Sequence, residues 1–338
     1  MKNKWAIFLS LPVFLLHSFQ KEKIIPEKDF VIRQLAPGVW AVIHHEQGGR
    51  AICNAGIVDL GNKTLVFDAF INQNAAAELK KKAEQLTGRP VSFVINSHFH
   101  DDHIRGNQSF IPGASIISTE WTKNKIQETE PGEQEWAKKN TATQLKKSME
   151  QLASAPENEK NEASVWVNYY KAITQSLPDL KMTLPDITFS NSFRIYGSKR
   201  TVQLVEYKNC HTGSDIVMIL PEEGIVFMGD LLFTERHPWL GDGNPETWKS
   251  TLNKLYADTT LKLFVPGHGR VCQKDQLQVL MLYIESLQQM SLSAIQKNVP
   301  DSVFIRSQMP EAYKDWSFKR FFMPNLSSVY ENTRKINQ

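Results

Sequence analysis

Six consecutive residues, His98-Phe99-His100-Asp101-Asp102-His103, hold three of the chain's nine histidines and two adjacent carboxylates. On an extended segment, positions 98, 100 and 102 project to one side, because side chains alternate with a period of two. Two imidazoles and a carboxylate then share one space. His103 joins them only if the chain turns there, as it does where a strand gives way to a helix. Three further candidates lie far along the chain but share one local context: His211 comes shortly after TVQLVEY, Asp230 closes GIVFMGD, and His268 closes LFVPGH. Each stands just past an apolar, strand-like run. A site built at the ends of several strands brings together side chains that are distant in sequence. Gly229 and Gly267 directly precede two of the candidates and permit tight backbone geometry there.

The candidate set is five imidazoles (His98, His100, His103, His211, His268) and two carboxylates (Asp102, Asp230), with no thiolate required. Nitrogen and oxygen donors of this kind suit zinc, and also iron or manganese. Seven donors exceed the three or four that one catalytic zinc takes from protein, and match two metals sharing a carboxylate bridge. Metal ions of this type make water reactive near neutral pH, so the chemistry indicated is hydrolysis, with Asp102 also placed to orient the nucleophile or carry its proton. No G-x-S-x-G turn lies near a suitable histidine, and no serine-based alternative is needed.

The surrounding pattern supplies the elements to hold such a site. VWAVI (39–43), AGIVDL (55–60), TLVFDAF (64–70) and VSFVIN (91–96) read as strands, broken at Gly48-Gly49 and Gly61-Asn62, with a helix from Asn72 to Leu86 between the third and fourth. Residues 119–180 change character: apolar positions spaced by three and four predict two or more amphipathic helices, punctuated at Pro131-Gly132 and Pro156. This insertion is expected to pack on the body, as a lid, a plain support or a subunit contact. Strands resume with FRIYG (193–197), TVQLVEY (201–207), DIVMIL (215–220), GIVFMGD (224–230) and LKLFVPGHG (261–269); helices are expected near 245–256 and 274–296. Strand runs followed by helices, twice over, predict two sheets between helical layers. The domain is read over 28–298, and the aromatic tail 299–338 (Trp316, Phe321, Phe322, Tyr330) is expected to dock on it.

Composition bounds the rest. The 338 residues are 41% hydrophobic and 22% charged, which is ordinary globular composition. The first 20 residues place Lys2 and Lys4 before an apolar run, Trp5 to Leu16, too short to span a bilayer. This predicts a signal peptide, a periplasmic or secreted protein, and no stable membrane anchor. Net charge is +3, or +1 once Lys2 and Lys4 leave with the leader, so no basic field exists for nucleic acid and the partner is a small-molecule substrate. Cys53, Cys210 and Cys272 are no disulfide scaffold; Cys210 is expected to be inert and Cys272 to lie in the core. In RHPWLGDG (236–243), close after Asp230, His237 and Trp239 are the candidates for substrate contact.

HFHDDH matches the H-x-H-x-D-H signature of the metallo-β-lactamase superfamily. NCHTGSDIVMILPEEGIVFMGD resembles that family's third-histidine strand pair, and VPGHG its last-histidine loop. The resemblance covers roughly residues 36–270 and implies an α/β, four-layer αββα metallo-β-lactamase sandwich carrying a helical insertion. It further implies that His98, His100 and His211 hold one Zn2+, that Asp102, His103 and His268 hold a second, that Asp230 bridges them, and that Asp68 is a buried acid supporting the metal loop. Relatives that open β-lactams typically carry cysteine or serine where this chain has Asp230. The resemblance therefore points first to ester, lactone or thioester hydrolysis, with β-lactam hydrolysis second. Iron-dependent oxygen or persulfide chemistry, found in some relatives with overlapping ligands, is the alternative from another reaction class.

Overall fold

The structure, a computed structural model, describes residues 24–45 and 49–336. The expected leader lies outside the described residues, as do Glu46 to Gly48 in the early turn. Among the described residues, no helix is long and apolar enough to cross a membrane.

Among the described residues, thirteen strands form two sheets. The first contains β1 (Ile24–Pro26), β2 (Phe30–Ala36), β3 (Val39–His44), β4 (Ala55–Asp59), β5 (Thr64–Phe67), β6 (Val91–Ile95), β7 (Ser115–Thr119) and β8 (Ile187–Phe189), in chain order. It is antiparallel through β5 and parallel from β5 to β8. The second contains β9 (Ser192–Tyr196), β10 (Thr201–Lys208), β11 (Ser214–Leu220), β12 (Ile225–Phe233) and β13 (Leu263–His268). Only its last pair, β12 and β13, is parallel.

Strand alternation makes the layers. In β5, Leu65 and Phe67 enter the core between the sheets while Val66 faces helix α1 (Gln73–Thr87); in β12, Ile225 and Phe227 point between the sheets and Val226 and Met228 point the other way. Phe67 and Phe227 meet across the interface with ring centroids 5.9 Å apart. The outer face of the second sheet is covered by α5 (Pro245–Ala257), α6 (Asp275–Gln296) and α8 (Phe322–Ile336), through Trp248, Leu280, Tyr283, Leu287, Leu326 and Val329. The fold is thus the four-layer αββα sandwich. Helix α1 begins where Asn72 caps the free N–H groups of Asn74 and Ala75, and ends at Gly88 with a left-handed φ of 72°.

Two helices fill the insertion: α3 (Glu120–Ser154) and α4 (Lys160–Ser176). The expected break at Pro131-Gly132 does not occur; α3 runs through it. Proline removes one backbone bond, to the carbonyl four residues back at Gln127. Pro131 and Gln127 are both exposed, so water can satisfy that carbonyl. Packing against α4 on the opposite side holds the helix together. The tail beyond α6 adds the short α7 (Asp301–Phe304) and α8, with Phe304, Trp316, Phe318, Phe322 and Tyr330 joining the core of the second sheet.

Candidate metal centre

The first cluster of donors lies where β6 ends and the chain turns. His100 is the N-cap residue of a one-turn helix, α2 (Asp101–Ile104), with extended φ and ψ of −64° and 147°. The helical turn swings His103 back beside His98, bringing their rings within 4.2 Å. Asn96 and Asn107 clamp this loop with reciprocal amide hydrogen bonds, both 2.9 Å. His211 stands in the connection between β10 and β11, and His268 ends β13. Asp230 lies within β12, where the pairing with β13 shifts register at Gly229, whose φ is +52°. That bulge turns the Asp230 side chain into the site. Gly267 on β13 leaves it room: a Cβ there would lie 1.9 Å from Asp230 Oδ1.

All seven predicted ligands meet, in two groups. In the first, His98 Nε2 and His211 Nε2 each lie 3.0 Å from His100 Nδ1, and Asp230 Oδ2 is 3.5 Å from His211 Nε2 and 4.0 Å from His98 Nε2. In the second, Asp102 Oδ2 is 3.5 Å from His103 Nε2 and 3.2 Å from His268 Nε2; Asp230 reaches the same two nitrogens at 3.2 Å and 3.4 Å. Ligand atoms about 2.0–2.1 Å from a tetrahedral zinc stand about 3.3 Å apart. Both groups scatter around that separation.

The donor set itself calls for cations. One imidazole nitrogen cannot donate protons to two neighbours, so the three nitrogens of the first group bring lone pairs together. In the second, the buried His103 Nε2 and Asp230 Oδ1 lie 3.2 Å apart without the alignment of a hydrogen bond. Burial drives the His98 imidazole well below its usual value and takes His211 down to about 3, so both are neutral and ready to ligate. His268 shows the opposite balance: burial opposes its charge, but the Asp230 and Asp102 carboxylates raise it to about 9. Similarly, against burial, His103 and His268 hold the Asp102 carboxyl at about 2. A proton on His268 occupies the role a second cation fills.

The far nitrogens of the ligating rings are held as well. His103 Nδ1 meets Asp68 Oδ2 at 2.9 Å, His98 Nδ1 meets Ser97 Oγ at 2.9 Å, and His211 Nδ1 meets the Trp239 carbonyl at 3.0 Å. Asp68 is fully buried and also accepts the Ser97 N–H and hydroxyl. Such partners fix which nitrogen faces the metal. For His100 the arrangement is reversed: Asp242 Oδ2 takes Nε2 at 3.0 Å, leaving Nδ1 for the site. Against burial, the His100 ring and the Trp239 N–H hold the Asp242 carboxyl at about 2.

The family model for the metallo-beta-lactamase superfamily matches residues 48–272. The chain belongs to this superfamily. Solved structures share its fold: a metallo-beta-lactamase from Pontibacter korlensis (15% identity, TM-score 0.52, covering 78% of this chain and 99% of that one), one from Hirschia baltica (16%, 0.53, 76% and 98%), and one from Erythrobacter litoralis (14%, 0.55, 78% and 100%). As a metallo-beta-lactamase-fold metal-dependent hydrolase, it carries its site at the floor of a cavity of about 560 Å³. Asp102, Asp230, His100 and His268 line the floor; α4 contributes Trp166 and Tyr169, and the tail contributes Phe318, Arg320 and Phe321. The insertion is therefore a wall of the active-site cavity.

Trp239 lines this cavity and donates its indole N–H to Asp242 at 2.7 Å. His237, expected to contact substrate, does not line the cavity. It is fully buried, with Nδ1 2.9 Å from the Tyr283 hydroxyl and its ring edge-on to Trp316 and Phe322. Its packing against Tyr283, Trp316 and Phe322 turns it away from the donor cluster. Asp242 escaped the sequence reading, although its place between Gly241 and Gly243 in a segment read as pocket-lining was a usable signal. Nothing in the tail's sequence announced that Phe318 would pack on His268, ring centroids 5.3 Å apart. The three cysteines are buried and free, and burial pushes Cys210 up to about 12.

Proposed function

We propose that this protein is a secreted dinuclear zinc hydrolase acting on an ester, lactone or thioester. The observation that carries the dinuclear reading is the placement of Asp230: one carboxylate lies within 3.2–4.0 Å of nitrogens from both donor groups. Three imidazoles on one side, and two imidazoles with the Asp102 carboxylate on the other, complete two shells of the kind zinc takes. When bound, the cations supply Lewis acidity for a carbonyl oxygen and lower the pKa of water from 15.7 to about 7, so that it attacks at neutral pH.

The chain's own residues do the rest. Asp102, held ionised by His103 and His268, is an acceptor at the cavity floor that can orient the attacking water. Phe233, stacked on His268 at 5.1 Å, and Trp248, edge-on to His211 at 5.2 Å, keep the ligand rings in place and water away from their outer faces. Aromatic walls from Phe99, Trp166, Trp239 and Phe321 suit an apolar acyl or aryl group. The carboxylate at 230, where lactam-opening relatives typically carry cysteine or serine, supports ester-type substrates over β-lactams. The second reading, β-lactam hydrolysis, draws on the three metallo-beta-lactamases of like fold. Secretion rests on the leader-like first 20 residues, and mass spectrometry of exported protein, showing a chain that begins near residue 20, tests it.

A panel of aryl esters, lactones, thioesters and a carbapenem, run on zinc-loaded protein with and without chelator, tests the substrate reading. Chelator-sensitive turnover of the first three classes is expected. Efficient carbapenem cleavage without esterase activity overturns the ranking, and iron in protein prepared without added metal, with oxygen consumption, overturns the reaction class.

A further inference from the structure

Arg320 lies on the exposed rim of the cavity, on the tail segment that also carries Phe318. Its guanidinium stacks over the Trp166 ring, 3.6 Å from the centroid, and one edge donates to the Tyr170 hydroxyl at 3.2 Å. The segment is fixed to the insertion by Glu162, whose carboxylate accepts the Phe318 N–H at 2.8 Å, the Lys319 N–H at 3.0 Å and the Trp166 indole N–H at 2.9 Å. Stacking covers one face of the guanidinium and leaves most of its five N–H donors directed along the edges. The other charges lining this cavity are differently placed. Asp101 and Glu130 both pair with Arg105, Asp242 pairs with His100, and Lys125 pairs with Glu128. Glu133 is exposed on α3. No ion pair between Arg320 and a carboxylate forms among the described residues. A rigid, stacked cation without an acid, at the mouth of an aromatic cavity, is a receptor for an anion on the ligand.

We propose that Arg320 determines specificity by binding a carboxylate on the substrate, while the substrate's apolar body lies among Phe99, Trp166, Trp239 and Phe321. The planar guanidinium matches a carboxylate with two parallel hydrogen bonds. Glu162 is the positioning residue that holds the tail, and with it Arg320, against α4. This assignment rests on the reading that the cavity holds the substrate, and it narrows that substrate to an amphiphilic acid derivative.

The test is binding rather than turnover. Isothermal titration of zinc-loaded protein with 4-phenylbutyrate and with the isosteric neutral 4-phenylbutyramide compares a carboxylate with its uncharged counterpart. Wild type is expected to prefer the carboxylate by about tenfold, the size of one charge-assisted hydrogen-bond pair. Arg320→Gln should reduce that preference to within about twofold. Arg320→Lys, which keeps the charge but loses the planar fork and the stacking, should fall between. A tenfold preference that survives Arg320→Gln assigns the carboxylate to the metals and overturns the proposal, as does equal binding of both probes by wild type. Because no hydrolysis is read, a protein that turned over none of the esters in the panel would still give one of these answers.

Discussion

Asp68→Asn should weaken the second metal site by about 100-fold while disturbing the first site less. The fully buried carboxylate receives the Ser97 N–H on Oδ1 at 2.8 Å, and the Ser97 hydroxyl and His103 Nδ1 on Oδ2, both at 2.9 Å. An asparagine here has one acceptor and one donor where three donors converge. If its oxygen stays with the Ser97 N–H, its NH2 faces His103 Nδ1. The imidazole then accepts that bond and carries its proton on Nε2, the nitrogen needed for the metal. If the amide flips, its NH2 collides with the Ser97 N–H instead. Loss of such a supporting partner costs about 10–100-fold in metal affinity, or about 1.4–2.7 kcal/mol. The forced change of tautomer places this variant at the upper end. The first site feels the change indirectly, through Ser97, whose hydroxyl also meets His98 Nδ1 at 2.9 Å, and through the shared Asp230. Competition with a chromophoric chelator resolves two zinc dissociation constants. Equal weakening of both sites, or no weakening of either, refutes the reasoning.

Other outcomes follow from the same geometry. Gly267→Ala puts a methyl group 1.9 Å from Asp230 Oδ1 and 2.8 Å from the Gly229 backbone, so the shared carboxylate must move; zinc content should fall below two per chain, and an alanine variant that retains both zincs contradicts the fit. Burial lifts the Asp215 carboxyl to about 7, despite hydrogen bonds from Thr212. A group whose folded pKa is raised contributes stability in full below its unfolded value and loses it as pH climbs through the folded one. Relative to Asp215→Asn, wild type should therefore lose melting temperature between about pH 4 and pH 7 and level off above it; parallel melting curves across that window contradict the placement.

Much of the site was legible because each ligand follows an apolar, strand-like run, and such runs mark the strands that carry the site. The 98–103 cluster and His268 stand at strand ends, whereas Asp230 lies inside β12, which continues to Phe233 beyond the end expected at 230; Asn72 and Gly88 announce the helix between β5 and β6 by their capping chemistry. What failed was direction and distance. A histidine beside a proline on a loop gives no sign of which way it points, and His237 turned into the apolar core of α6 and α8, where its Nδ1 meets the Tyr283 hydroxyl at 2.9 Å. Pro131 looked like a stop because local rules make it one, but packing against α4 outweighs a single lost backbone bond. The tail's Phe318 and Arg320 reach the cavity through Glu162, a contact between residues 156 and 157 positions apart that no local pattern encodes.

The central claim is that seven side chains hold a pair of cations around one shared aspartate. Anomalous diffraction at the zinc edge, on crystals of protein grown with zinc, tests it most directly. Two peaks are predicted, one among His98, His100 and His211 and the other among Asp102, His103 and His268, each touching Asp230. A single peak, or peaks away from these residues, would contradict the account.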